Sequence, residues 1–444
     1  MTMEYIKNKR IVFLLIFLLS AIAFLIRVAY VVNTSIDHPI RADAREYVIY
    51  AHNLYKHGIF SKEFPADQPS PDSFRSPGYP MFLCLFFHLD KETNLYSVIY
   101  AQTVLSTLLV PLTFLIGIRI FSFLWAFIGA CLVAFSPHLV SITSYILTET
   151  LFGFLFLAAL VLLSESLRKN MRILFLMAGF FFGLAYLVNE TVLFFPYIVS
   201  FAYILYFRKT HGKTDKLILS NIVLFLIIFS VFPAAWGIRN KINLPLDAPK
   251  GSHRAIGTMT HGTYPDFIYK TEKYRNFPYR EDPMQPAFSS SMGNFVRIFW
   301  TRFKERPIRY LSWYFFEKPY YLWSWNILQG QGDVYIYPVT TSLYQVSKAA
   351  NLTREIMKFI HPAVLIFALL GIPLFIIKLR AGKKDLFAEQ AVFLLFIIIV
   401  YYTLLYTVFA PWPRYSIPLR PELYLWSLWS LKESKDIMSK CYKK

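Results

Sequence analysis

Long apolar segments recur along the whole chain, separated by short polar joints and two long polar loops. The first segment, residues 11–32, is long enough to cross a bilayer, because about 20 apolar residues span the hydrocarbon core as a helix. The pattern predicts nine further spans, at about 94–118, 121–140, 143–163, 172–188, 190–207, 217–237, 360–378, 390–410 and 414–431. The predicted fold class is therefore an all-α polytopic membrane protein, a bundle of about 10–13 transmembrane helices.

Two apolar stretches are ambiguous. Residues 78–89 are too short to cross and predict an interfacial or re-entrant helix, one of the juxtamembrane helices of the first long loop. Residues 311–328 could add a partial or complete crossing. The first span, which follows a basic N-terminus, is interpreted as an uncleaved signal anchor, because its apolar run continues well past the signal-peptide length.

Basic residues fix the predicted orientation. The positive-inside rule places short basic joints and the basic residues 7–10 in the cytoplasm. Loops 33–93 and 238–359 then share the extracytoplasmic face of an inner-membrane, multi-pass protein whose single transmembrane domain covers residues 1–444. The predicted cytoplasmic joints are Arg119, 168–172, 208–216, 378–385 and the tail from Lys432.

Composition agrees with this class and excludes others. Of 444 residues, 56% are hydrophobic and 16% are charged, against roughly 25% charged in soluble domains. The net charge is +19, and the basic residues lie in clusters between the apolar segments. No nucleic-acid-binding motif accompanies these clusters, so we expect no nucleic-acid partner. The three cysteines show neither disulfide nor metal-type spacing. No D-x-D motif and no Gly-rich phosphate loop occurs, unlike in soluble sugar-nucleotide transferases.

Four carboxylates lie on the predicted outer face. Asp43 and Glu46 open the first outer loop, and Glu190 lies at an outer turn between two spans. Glu149, about six residues into the span 143–163, would lie about 9 Å deep at 1.5 Å per residue. Carboxylates in or near hydrocarbon usually face a cavity or a partner. Asp43 with Glu46 also fits a helix capping box, and Glu149 and Glu190 could be structural partners of buried Arg or Tyr.

Three arginines lie at the edges of apolar segments on the same face: Arg75, Arg239 and Arg414. Each could extend to lipid headgroups. Together they suggest a phosphate clamp, because guanidinium forks match phosphate oxygens. A sugar on a polyprenyl phosphate already has a good leaving group. Its transfer needs stabilisation of the departing phosphate and a carboxylate that takes the proton of the acceptor hydroxyl.

Five segments resemble, in order, motifs of the GT-C glycosyltransferases, in the branch of the protein O-mannosyltransferases and the aminoarabinose transferase of lipid A. They are ADAREYVIYAHNLYKHGIFS (42–61), FRSPGYPMFLCLFF (74–87), SPHLVSITSYILTETLFGFL (136–155), FPAAWGIRN (232–240) and PRYSIPLRPELYL (413–425). The resemblance implies that Asp43 is the catalytic acidic residue and that the three arginines face the donor. It matches Glu149 to an acidic position in the fourth span.

The remaining candidates and the departures follow from the same resemblance. Glu46 and Glu149 would orient acceptor or sugar hydroxyls, and the candidate substrate contacts are Tyr47, Tyr79, Glu190 and Tyr415. Many relatives carry a basic residue where this chain has Asn189 and Glu190, which implies a different donor sugar or a rearranged clamp. Many also carry Asp-Glu in the first loop, whereas Ala44 follows Asp43 here. We therefore predict no metal and no other cofactor.

The expected function is an inverting transfer of one sugar from a polyprenyl-phosphate carrier to an envelope acceptor, which could be a glycolipid, lipid A, a polysaccharide or a protein. Asp43 would be the general base, on the extracytoplasmic face. One alternative is a transporter or flippase for lipid-linked sugars, which inverted repeats and broken midplane helices would favour; neither is visible in the sequence. Another is a glycan ligase or polymerase that uses a polyprenyl-diphosphate donor.

Overall fold

The computed structural model describes residues 9–87, 95–211, 216–267, 277–328, 331–380 and 386–441. These residues are almost entirely helical. The helices are α1 (Lys9–Asn33), α2 (Ala42–His57), α3 (Gly78–Cys84), α4 (Tyr96–Ile120), α5 (Phe123–Ala134), α6 (Pro137–Ser141), α7 (Glu149–Lys169), α8 (Arg172–Val188), α9 (Phe195–His211), α10 (Lys216–Asn243), α11 (Gly251–Gly262), α12 (Gln285–Phe288), α13 (Met292–Glu305), α14 (Pro307–Ser312), α15 (Lys318–Trp323), α16 (Leu343–Val346), α17 (Lys348–Arg380), α18 (Leu386–Val408) and α19 (Arg420–Cys441). A small antiparallel ribbon joins β1 (Ser35–Ile36) to β2 (Val339–Thr341).

Seven helices of the described ranges are long and apolar enough to cross a membrane, or eight if the bent pair 123–134 and 137–144 is one span. The predicted class, an all-α polytopic membrane protein, is confirmed. Two other predicted spans correspond to α8, a shorter apolar helix, and to α19, which carries Arg420 and Glu422 in its first turn. Parts of the predicted cytoplasmic joints, 212–215 and 381–385, lie outside the described residues.

The predicted start of the span 143–163 is wrong. The chain bends by 46° between α5 and the segment 137–144, and α7 begins only at Glu149. Pro137 lacks an N–H and restricts the residue before it, so the helix is interrupted between Ala134 and Pro137. Residues 145–148 are also non-helical and separate this bent segment from α7. Glu149 is therefore the first residue of its helix, not a residue that follows two turns of the same helix.

A buried arginine binds the carbonyl groups at the end of helix α5. Arg27 of α1 is completely buried. Its Nη1 donates to the Ala134 carbonyl at 3.1 Å and its Nη2 to the Val133 carbonyl at 3.2 Å. Its Nε donates to Ser106 Oγ at 2.8 Å. Because the last carbonyls of a helix have no intrahelical donor, Arg27 provides the end of α5 with partners.

The two long loops contain short helices. α3 has seven residues and cannot cross, as predicted for the stretch that begins at residue 78; residues 88–89 of that stretch lie outside the described residues. The stretch 311–328 forms the end of α14, a π-helical turn over Trp313–Glu317 and α15. It is not among the candidate spans of the described chain.

The second loop clamps the segment that follows α18. The Lys318 ammonium is buried and donates to the carbonyls of Thr407 at 2.6 Å and Phe409 at 3.1 Å. Trp313 Nε1 donates to the Gly262 carbonyl at 2.9 Å. A Cβ on Gly262 would lie only 2.6 Å from the Phe409 oxygen, so this close approach requires glycine. Residues 409–415 are thereby held in place.

The predicted orientation can be tested by cysteine labelling in a cysteine-free background. We expect the exposed positions Asp67 and Arg297, each replaced by Cys, to react with an impermeant maleimide applied from outside intact cells. Met171, which is 46% exposed and follows α7 in a predicted cytoplasmic joint, should react only after the membrane is opened. Labelling of positions 67 and 297 from opposite sides would contradict the placement of both loops on one face.

Candidate active site

A cavity of about 380 Å³, called here the reaction cavity, lies where the two long loops meet the ends of the spans. Its wall combines the start of α2, the loop before α3, the start of α7, the turn between α8 and α9, one face of α11 and the segment after α18. Seven charged side chains line it: Asp43, Glu46, Glu149, Glu190, Arg75, Arg254 and Arg414.

Five of these groups form an alternating chain of charge. Arg75 Nη2 lies 2.7 Å from Asp43 Oδ1, and Arg414 Nη2 lies 2.6 Å from Asp43 Oδ2. The other end of each guanidinium meets a second carboxylate: Arg75 Nε lies 2.6 Å from Glu46 Oε2, and Arg414 Nε lies 2.9 Å from Glu149 Oε1. The order is Glu46, Arg75, Asp43, Arg414, Glu149, with Asp43 at the centre.

The local backbone presents Asp43 to the arginines. Helix α2 starts at Ala42, and its N-cap residue is Arg41, with extended backbone and no side-chain cap. Asp43 is therefore already inside the first turn, so the capping-box interpretation with Asp43 as the cap is wrong. Ala42 has a φ of 46°, a left-handed conformation that is rare for residues with a side chain and is found at functional sites.

The surrounding charges determine the protonation of Asp43. Burial alone would raise its pKa, but the guanidinium groups of Arg75 and Arg414 hold the pKa of Asp43 well below its ordinary value. Burial likewise opposes the charge of both arginines, yet the facing carboxylates raise their pKa values well above normal. Asp43 is thus fully ionised, and it is a weak base for as long as both arginines hold it.

Arg75 is carried by a loop that Asp72 organises. The Asp72 carboxylate is buried and accepts hydrogen bonds from the Tyr50 hydroxyl, from the Lys62 N–H at 2.7 Å and from the Phe74 N–H at 2.9 Å. Such a hub satisfies the polar groups of a loop that packs against the bundle. It also fixes the backbone immediately before Arg75.

The structure does not bring Arg239 to the reaction cavity. α10 continues to Asn243, so Arg239 lies on its last turns. Its Nη1 donates to the Asp72 carbonyl at 2.7 Å and its Nη2 to the Phe60 carbonyl at 3.3 Å. Its guanidinium carbon lies 5.6 Å from the ring centre of Phe60 and 5.0 Å from that of Trp236. These contacts favour an anchoring role for the loop that carries Arg75, rather than a direct phosphate contact.

Of the four predicted substrate contacts, three line the reaction cavity and one does not. Tyr47 lines the cavity with the Arg75 guanidinium 5.2 Å from its ring centre, and Tyr415 lines it beside Arg414. Glu190 lines the cavity as well and pairs with Arg254. Tyr79 does not line it: this residue is fully buried and donates to Gln102 Oε1 at 2.8 Å.

Several lining residues were missed by the sequence interpretation, and three polar ones come from helix α11. Arg254, Thr258 and His261 lie on one face of α11. Their spacing of four and three residues is helical, but α11 lies in a polar loop where no apolar pattern draws attention to it. Burial and the nearby Arg280 lower the pKa of His261 to about 4, so the imidazole is neutral at pH 7. Its ring stacks on Tyr279 with centres 3.7 Å apart.

The acidic groups are interleaved with guanidinium groups rather than gathered around a common point. Within the described part of the chain, no group of three or more His, Cys, Asp or Glu side chains has the arrangement of a metal site. What the arrangement can do is bind an anion through Arg75, Arg414 and Arg254, and present Asp43 as a base once an arginine leaves it.

One protein-family model matches part of the chain. The model of the dolichyl-phosphate-mannose-protein mannosyltransferase family matches residues 70–236, and this match supports the resemblance to the GT-C glycosyltransferases. No curated protein sequence matches the chain.

Two solved structures are similar to the chain at low sequence identity. The archaeal oligosaccharyltransferase AglB from Archaeoglobus fulgidus, in complex with an inhibitory peptide and a dolichol-phosphate, is 12% identical with a TM-score of 0.49, over 96% of this chain and 50% of that one. The chain thus spans about half the length of that enzyme. ArnT from Cupriavidus metallidurans, bound to undecaprenyl phosphate, is 12% identical with a TM-score of 0.38, over 94% of this chain and 77% of that one.

The anchoring role of Arg239 is testable by hydrogen exchange. The Arg239→Gln variant loses charged hydrogen bonds to two loop carbonyls, each worth about 1.5 kcal/mol or more. We expect amide exchange in residues 60–75 to accelerate by roughly tenfold or more. Arg297→Gln, at an exposed arginine of α13 that bonds Asn294, is the matched control and should leave this loop unchanged. Equal exchange in Arg239→Gln and wild type would exclude the anchor.

Proposed function

We propose that the protein is a membrane glycosyltransferase that moves a sugar from a polyprenyl-phosphate carrier to a hydroxyl of an envelope acceptor on the extracytoplasmic face. One observation carries the proposal: the carboxylate of Asp43 is held between Arg75 and Arg414 in a cavity where the two long loops meet the ends of the spans. A phosphate clamp and a carboxylate base are what this reaction requires.

Two separate cavities along α10 support a lipid-linked donor. The first is a shallow apolar depression of about 410 Å³ on one face of the helix, lined by Val223, Leu226, Ile227, Ser230, Val231 and Ala234. Further along α10 a second cavity of about 570 Å³, called here the lipid-side cavity, is lined by Trp236, Asn240 and Lys241 and shares Glu190 with the reaction cavity. An apolar stretch followed by a polar one suits a long prenyl chain that ends in a phosphate.

The occupied nitrogens of Arg75 and Arg414 favour exchange of partners over simple addition. In the alternating chain, each guanidinium group is already paired with two carboxylates. A phosphodiester added beside them would lie next to three carboxylates without free arginine donors of its own, which is costly in a partly buried site. If the phosphate instead takes arginine donors from Asp43, the clamp is formed and the base is released in the same step.

The transfer then balances without a general acid. The acceptor oxygen attacks the anomeric carbon while Asp43 takes the hydroxyl proton. The bond between that carbon and the phosphate oxygen breaks, and the electron pair leaves on polyprenyl phosphate, where Arg75 and Arg414 stabilise it. Direct displacement inverts the anomeric centre. Glu149 and Glu46, at the two ends of the charge chain, are placed to orient hydroxyls of the sugar or the acceptor.

A transporter would suit the bent pair of α5 and α6, since broken helices form many transporter sites. However, no residue of 123–144 lines the reaction cavity. The bend therefore does not take part in the site, and the transferase is the function that the geometry favours.

Exchange of partners predicts a displaced pH profile. In the free protein Asp43 stays ionised well below the ordinary carboxyl pKa of about 3.9, so its protonation should not limit kcat/KM above about pH 4. In the donor complex the arginines have moved to the phosphate and the pKa of Asp43 should rise. We expect the acid limb of kcat to lie at higher pH than that of kcat/KM. Coincident limbs in transfer assays with purified carrier lipid would contradict the exchange.

The role of Asp43 predicts opposite effects on turnover and affinity. Asn cannot accept the proton, so Asp43→Asn should lower kcat by roughly a hundred- to ten-thousand-fold. Because an uncharged side chain competes less for the arginines, donor affinity should be equal or higher. Glu46→Gln, which removes a carboxylate from Arg75 but not the base, is the matched control and should cost much less. Turnover of Asp43→Asn within about threefold of wild type would leave the mechanism without its base.

A further inference from the structure

The reaction cavity and the lipid-side cavity meet at one ion pair. Both are lined by Glu190, Ala255 and Phe409. Arg254 Nη2 pairs with Glu190 Oε1 across this boundary. Any group that moves from α10 into the reaction cavity by the shared wall must therefore pass this pair.

The two partners are held differently. Arg254 Nε donates to the Phe74 carbonyl at 3.0 Å, which holds the guanidinium against the backbone immediately before Arg75, while its Nη2 pairs with Glu190. The Glu190 side chain is 39% exposed, and its other oxygen is at 3.4 Å from Ser76 Oγ, a long contact. A partly exposed carboxylate can return to water at little cost. Arg254 is thus the fixed partner and Glu190 the exchangeable one.

The lipid-side cavity supplies cations for an incoming anion. Lys241, on the last turn of α10, and Lys250, the N-cap residue of α11, both line it. Lys250 Nζ makes a long 3.4 Å contact to the Leu246 carbonyl. Glu190 Oε2 lies against the first turn of α11, 3.5 Å from where a Cβ of Gly251 would be. An anion is favoured at this helix terminus, and at present the carboxylate of Glu190 occupies that position.

We propose that the Glu190–Arg254 pair is a gate, and that a phosphate carried by a lipid docks at Lys241 and Lys250 and opens the gate by replacing Glu190 at Arg254. A lipid phosphodiester carries one negative charge and a lipid phosphomonoester roughly one to two at pH 7, so either supplies at least the charge that Arg254 loses when Glu190 leaves. From there Arg75 is the next guanidinium. The identity of the cargo as a sugar carrier rests on the proposed function; the phosphate site itself does not.

The test uses binding rather than transfer. The full-length protein in nanodiscs is mixed with fluorescent polyprenyl phosphate that carries no sugar, and the association rate is measured. Glu190→Gln weakens the closed gate, so association should be roughly fivefold faster, the scale of a partly exposed ion pair. The double variant Lys241→Gln, Lys250→Gln should be slower by a similar factor. Glu165→Gln, which removes another glutamate paired with arginines, at the far end of α7, is the matched control and should not change the rate.

Other probes separate the possible ligands. Polyprenol lacks the phosphate, so its association rate should be the same for the wild type and for all of these variants. If phosphatidylglycerol competes as well as polyprenyl phosphate, the site accepts any lipid phosphate; if it does not, the site is selective for the carrier. Unchanged association in both Glu190→Gln and the lysine double variant would overturn the gate. Gated binding without sugar transfer in wild type would refute the proposed function and leave the gate intact.

Discussion

The site depends on the double ion pair of Asp43 with Arg75 and Arg414. A carboxylate and two guanidinium groups at the edge of a bilayer are costly unless each finds a partner. Here the partners come from α2, the loop before α3 and the segment after α18, and Glu149 at the start of α7 completes the chain. Several contacts outside the cavity hold the elements that carry the two arginines. Asp72 and Arg239 hold the loop of Arg75, and Lys318 holds the segment of Arg414.

In the proposed mechanism, these two ion pairs determine when Asp43 can act as a base. With both arginines in place, Asp43 is ionised but weakly basic, so the resting site has a poor base. A donor phosphate that draws the arginines away would create the base and the stabilised leaving group together. The proposed gate follows the same principle. The carboxylate of Glu190 pairs with Arg254 until a lipid phosphate replaces it.

Much of this could be predicted from the sequence, and the failures have physical causes. Asp43, Glu46, Arg75 and Arg414 were recognisable because charged residues at the edges of apolar segments are costly. The predicted start of the span 143–163 was wrong because the non-helical residues 145–148 are as apolar as the helices around them, so hydropathy does not reveal the interruption. Arg239, like Arg414, lies at the edge of an apolar segment. However, helix α10 continues past Arg239, and its side chain contacts the loop that contains Asp72. Arg254 was missed because a polar loop gives no apolar reference from which to place α11.

The account is tested most directly by a structure of the protein with polyprenyl phosphate bound. It predicts phosphate oxygens within about 3 Å of the guanidinium nitrogens of Arg75 or Arg414, with at least one of the two ion pairs to Asp43 broken and its carboxylate open to the cavity. A phosphate bound elsewhere, or bound at the arginines while both ion pairs to Asp43 persist, would contradict it.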